Sequence, residues 1–229
     1  MISVKYNKSL NLIVIFIVSL VIMMPASDAW CWKTHSQIAD VVYYGLPVQV
    51  QENLDLKTME NASNDPDELF HDFTYHSYPN SYNKSMYWLN LGKIAYDNGN
   101  YENASYDYGV ASHYISDTFS APHAVSGEAY SDHSKYENHA KKLNPVVNPV
   151  NGDLNEIMAN GKIDGSASWD EWTQTKDDSI IQKNLNNGAS ACLYAVNYSI
   201  SNGTTNTTNV KGQSGSIVDM IVNFVKNLF

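Results

Sequence analysis

Apolar positions along this chain recur mostly at three- and four-residue spacing, a period that predicts helices. Ile38, Val41 and Val42 share one face of a first helix, which Thr34-His35-Ser36-Gln37 would open as a capping box and Gly45 and Pro47 would close. A polar loop rich in Asn and Asp covers Asn61 to Glu68. Tyr87, Leu91, Ile94 and Ala95 predict a helix around Ser85–Asn98, and Asn98-Gly99-Asn100 reads as the turn after it. The next helix runs from about Tyr101 to Ser120 and ends before Pro122; a shorter one covers Asp132 to Leu143. Pro145, Pro149 and Gly152 interrupt the chain, and a final core helix is expected around Ile180–Ile200. No segment alternates as a strand does. The expected class is all-α, with one helical domain over 30–200.

The two ends read differently. Lys5 and Lys8 precede an apolar run from Leu10 to Met24 and then Pro25-Ala26-Ser27-Asp28-Ala29. This is the grammar of a signal peptide over 1–29, with small residues at Ser27 and Ala29 where a peptidase reads. The run is shorter than the roughly 20 residues a membrane span needs, which favours cleavage over an uncleaved anchor. Cleavage after Ala29 would expose Trp30 as the first residue and make the protein secreted or displayed at the cell surface. At the other end, 201–216 is mostly Asn, Thr, Gly and Ser and reads as a flexible polar linker. In 217–229, Ile217, Met220, Ile221, Phe224, Val225 and Leu228 form one face of an amphipathic helix, too short at about 20 Å to cross a bilayer. Its first reading is a helix folded back onto the domain; peripheral contact with a membrane is the second.

The formal charge of −10 repels nucleic-acid backbones and argues mildly against a nuclease. The two cysteines, Cys31 and Cys192, suggest a bridge if the chain is exported, with free thiols or metal ligation as the alternatives.

Chemistry concentrates in one window. All seven histidines fall between residues 35 and 139. His113 and Asp117 lie four apart on a predicted helix, so both project from one face; His133 and Glu137 repeat the arrangement on the next. His123 follows Pro122 in the connection between them. One such pair is ordinarily a surface ion pair, but two pairs flanking a further histidine suit zinc or a similar divalent ion. Their number suggests more than one ion.

These stretches carry a resemblance. Ser112-His113-Tyr114-Ile115-Ser116-Asp117, Ala121-Pro122-His123-Ala124 and His133-Ser134-Lys135-Tyr136-Glu137-Asn138 resemble, in order and interval, the core motifs of the zinc-dependent phospholipase C superfamily, which also holds fungal nucleases specific for single strands. The run from His133 is closer to the phospholipase branch; the five-residue interval from Trp30 to His35 is like that of the nuclease branch. The resemblance implies three zinc ions. His113 and Asp117, with an upstream His and Asp, would form one site; His123, His133 and Glu137 a second; Trp30 and His35, with Asp117 as bridge, a third. His76, in His76-Ser77-Tyr78-Pro79, is the choice for the upstream histidine over His71, and Asp67 for the aspartate, with Asp65 its nearest rival. His71, Asp65 and Asp72 then read as loop polars, and His139 as an exposed residue.

By the same resemblance the protein would hydrolyse phospholipid headgroup esters through a metal-bound hydroxide, with Asp67 orienting the water. Departures bear on substrate: the His123–His133 loop is short, and no acid stands between Trp30 and His35, where the phospholipases place one near the headgroup. The alternatives are a single-strand nuclease or nucleotidase of the same superfamily, and a surface zinc-binding protein without turnover.

Overall fold

The computed structural model describes residues 32–201. Trp30, Cys31, the leader, most of the linker and the C-terminal amphipathic segment lie outside the described residues. Within them the chain forms α1 (Trp32–Gly45), α2 (Val48–Gln51), α3 (Leu56–Ala62), α4 (Asn80–Asp97), α5 (Tyr101–Asp117), α6 (Tyr130–Ala140), α7 (Leu154–Thr175) and α8 (Asp178–Ser201). A wide helical turn at Pro66–Phe70 and tight turns at Phe73–Tyr75 and Ala121–Ala124 join them. No strand occurs among the described residues, and the fold is all-α.

Helix α5 is the axis of the fold. No single apolar stripe marks it, because Ser105, Gly109, Ala111, Ser112 and Ser116 are small on every side and let helices approach all round. Residues 107–117 are buried without exception. The hydroxyls need partners there and find them on their own helix: Ser105 donates to the Tyr101 carbonyl at 2.6 Å and Ser112 to the Tyr108 carbonyl at 2.9 Å. α4, α3 and α8 pack around this axis. The approach of α3 is closest at Gly109, where a Cβ would lie 2.5 Å from the Met59 carbonyl oxygen, so only glycine fits. Asn100 and Asp55 cap α5 and α3, accepting from Asn103 N at 3.3 Å and Thr58 N at 2.7 Å. At the other side of the core, Tyr136 of α6 packs edge-on against Trp172 of α7, with ring centroids 5.1 Å apart.

Several local expectations are corrected. Thr34 is not a cap: α1 already runs at Trp32, and Thr34 lies buried inside it. The polar stretch Asn61–Glu68 is not a plain loop, since it holds the end of α3 and the turn beginning at Pro66. No element was expected between Gly152 and Ile180, where α7 runs, and two glycines, Gly161 and Gly165, lie inside that helix. They serve contact: a Cβ on Gly161 would meet the Phe119 ring at 2.5 Å, and one on Gly165 the Ala124 Cβ at 2.9 Å. That contact seats α7 against the turn carrying His123. Cys192 is buried, with its Sγ 3.3 Å from the Ser112 carbonyl.

Candidate metal centre

Six stretches of chain send side chains to one place. α1 supplies His35, the wide turn Asp67, the segment after Tyr75 supplies His76, and α5 supplies His113 and Asp117. The turn after α5 adds His123, and α6 adds His133 and Glu137. The last residues of α5 are decisive, because helical spacing places His113 and Asp117 one turn apart where α1, α3 and the wide turn converge.

Asp117 is central. His35 Nε2 lies 3.4 Å from its Oδ1; His113 Nε2 and His76 Nδ1 lie 3.2 and 3.0 Å from its Oδ2. Asp67 Oδ1 lies 3.6 Å from His76 Nδ1 and 3.8 Å from His113 Nε2. Farther along, Glu137 Oε1 lies 2.8 Å from His133 Nε2 and 3.8 Å from His123 Nε2. Four sets of three possible ligand atoms each fall within 4.8 Å of one another: His35, His113 and Asp117; Asp67, His76 and His113; His76, Asp117 and His123; His123, His133 and Glu137. Adjacent sets share residues, so the donors form a continuous cluster.

The fit to a cation rests on orphaned atoms. Both oxygens of Asp67, both of Asp117, and Nε2 of His35, His113 and His123 are buried without a hydrogen bond among the described residues. Buried polar atoms are nearly always satisfied. Here unsatisfied acceptors and imidazole nitrogens converge, which is what a set of metal ligands requires. The mixed imidazole and carboxylate donors suit zinc.

Outward-facing nitrogens have partners of their own. His113 Nδ1 donates to the Ser63 carbonyl at 2.8 Å, His35 Nδ1 lies 3.3 Å from Ser116 Oγ, and His133 Nδ1 lies 3.2 Å from Glu128 Oε1. Such contacts orient a ligating imidazole and set its tautomer.

Electrostatics follow from crowding. Burial, reinforced by the neighbouring His113, drives the His35 pKa well below its ordinary value. Burial also works against a charge on His76, but Asp117, Asp72 and Asp67 around it prevail and push its pKa up to about 10. Burial raises Asp67 to about 6. For Asp117 burial acts upward too, yet the surrounding imidazoles of His113, His35 and His123 hold it well below the usual carboxylate range. Burial opposes a charge on His133, while Glu137 and Glu128 raise its pKa.

Of the residues singled out from sequence, Trp30 lies outside the described residues, and the other eight meet in this cluster. Asp65 stays outside it, beside Tyr106. His71 is exposed and bonds through Nδ1 to the Asp67 carbonyl at 2.8 Å. His139 is half-buried rather than exposed, 2.6 Å from Asp178 Oδ1. Glu128, Asp72 and the Ser63 carbonyl were not picked out as supports. Glu128 had a readable signal, an acid five residues before His133; the Ser63 carbonyl had none.

A buried cluster of histidines and carboxylates at the converging ends of a helical fold defines a metal-dependent α-helical domain. The chain belongs to the family described as zinc dependent phospholipase C, whose profile matches residues 33–188. Comparison with curated proteins returned no match.

Proposed function

We propose that this protein is a zinc-dependent phosphodiesterase that cleaves phospholipids on the glycerol side of the headgroup phosphate. Family membership supports the reaction class. The observation that carries the reading is the continuity of the donor sets through shared His113, His76, Asp117 and His123, which favours several neighbouring ions, three with Trp30 as a further ligand. Zinc supplies Lewis acidity toward phosphoryl oxygens and acidifies water. The chain's own residues do the rest. Asp117, with both oxygens free and three imidazoles around it, balances the clustered positive charge. Asp67, also with two free oxygens, can hold a water by one of them and accept its proton.

A lipid fits the surroundings better than a polyanion. Leu69 and Phe73 are 65% and 41% exposed on the segment linking Asp67 to His76, and the Phe73 ring lies 5.8 Å from that of His76. That segment thus exposes apolar side chains beside the cluster, and the whole chain is acidic. No described helix is long and apolar enough to cross a membrane. The leader grammar supports export, with Trp30 exposed by cleavage.

The test is hydrolysis by the zinc-loaded protein of phosphatidylcholine vesicles and of single-stranded DNA, in parallel with a chelated control. Zinc-dependent release of phosphorylated headgroup is expected. Cleavage of DNA alone would assign the nuclease activity instead, and full zinc loading without any hydrolysis would leave a metal-binding protein.

A further inference from the structure

His76 is turned the other way from its neighbours. His35 and His113 direct Nε2 at Asp117, and His123 and His133 direct Nε2 at Glu137. His76 instead directs Nδ1 at Asp117 and Asp67, at 3.0 and 3.6 Å, and its Nε2 faces Asp72 Oδ1 at 3.8 Å. Both His76 Nε2 and Asp72 Oδ1 are buried, and neither has a hydrogen bond among the described residues. The separation exceeds a direct hydrogen bond. It nonetheless pairs a potential donor with a potential acceptor that have no competing partner, and a small side-chain shift or a bridging water joins them.

Asp72 is itself held in place. The buried Tyr114 hydroxyl donates to its Oδ2 at 2.6 Å, and Lys84 Nζ lies 3.3 Å from the same oxygen. Lys84 in turn sits over the Tyr75 ring, 4.2 Å from its centroid. The carboxylate is thus fixed from two sides, with its other oxygen left for His76.

We infer that Asp72 is a positioning residue that keeps the imidazole proton of His76 on Nε2, so that Nδ1 is the nitrogen offered to zinc. The inference rests on the zinc reading above. A neutral imidazole carries a single N–H, and a ligating nitrogen must be the bare one. Asp67 and Asp117 would otherwise draw that proton to Nδ1. An acceptor behind Nε2 reverses the choice, and Tyr114 and Lys84 keep the acceptor there.

The experiment uses the zinc-loaded protein labelled with 15N in histidine, and reads tautomers from long-range proton–nitrogen correlations. One histidine should show ligation through Nδ1 with the proton on Nε2, against the opposite pattern for the other cluster histidines. In Asp72→Leu that signature should disappear and zinc affinity should fall about 10- to 100-fold. Asp72→Asn, which keeps an acceptor oxygen, should retain the signature, and Tyr114→Phe should weaken zinc less than Asp72→Leu does. Ligation of every cluster histidine through Nε2 in the parent protein would overturn the inference without any variant. So would an unchanged signature and affinity in Asp72→Leu. A parent protein that binds no zinc would overturn the metal reading itself, a result separable from the other two.

Discussion

His35 and His113 stack ring on ring, with centroids 4.0 Å apart and planes 23° from parallel. The stack joins α1 to α5 at the level of Asp117, and each ring turns Nε2 to that carboxylate. The stack thus presents two imidazole nitrogens and the Asp117 carboxylate as one set of converging donors.

Asp117→Asn is therefore expected to cost more than one contact. It keeps the shape and removes the charge that serves His35, His76 and His113 together. At least one zinc should be lost on dialysis, counted by elemental analysis, with hydrolysis down by more than about 100-fold. Alanine at His113 or His123 should abolish both zinc binding and turnover. Full activity in any of these variants contradicts the assignment.

Gly109→Ala tests how the site is supported. The new methyl group meets the Met59 carbonyl oxygen at 2.5 Å, and backbone cannot swing aside as a side chain would. A loss of about 1–3 kcal/mol is expected from overpacking, read by urea denaturation. Because α3 leads into Ser63, whose carbonyl accepts from His113 Nδ1 at 2.8 Å, zinc affinity should fall as well.

Asp107 gives a pH dependence away from the ligands. Burial raises its pKa from 3.8 to about 6. Between those values the folded chain keeps a proton that the unfolded chain has released. Its contribution to stability is therefore complete below pH 3.8 and lost as pH rises through about 6. Asp107→Asn should be more stable than the parent at pH 8 by on the order of 1 kcal/mol, allowing for solvent screening. The gap should close near pH 4. Equal stability at both pH values would mean the carboxylate is not strained by burial.

Removing metal should soften the fold. The carboxylates of Asp67 and Asp117 are buried without hydrogen bonds among the described residues, so chelation leaves them uncompensated. The melting temperature should fall by several degrees with a chelator and return with zinc; free zinc at 100 times its dissociation constant stabilises by about 2.7 kcal/mol per site. A melting curve indifferent to zinc would show that no ion binds the folded state.

What could be read beforehand followed the physics of local spacing. His113 with Asp117, and His133 with Glu137, were legible because helical periodicity alone puts each pair on one face. The all-α class was legible for the same reason. Helix α7 was not: two glycines, Gly161 and Gly165, lie within it, and their role shows only in the contacts with Phe119 and Ala124. Asp72 was not either, because it sits in an irregular segment where spacing fixes no direction. A backbone oxygen such as that of Ser63 leaves no trace in residue identity at all.

The cluster is uneven in the length of chain it closes. His123, His133 and Glu137 come from one turn and the helix after it, whereas His35, Asp67, His76, His113 and Asp117 are gathered from α1 through α5. Closing a longer loop sacrifices more chain entropy. The nearby trio thus closes a short stretch of chain, while the set of His35, His113 and Asp117 exists only once α1 has docked on α5. Zinc uptake should accordingly be sequential as the chain folds, with the pocket of His123, His133 and Glu137 filled first and the one that includes His35 acting as a latch on the completed fold.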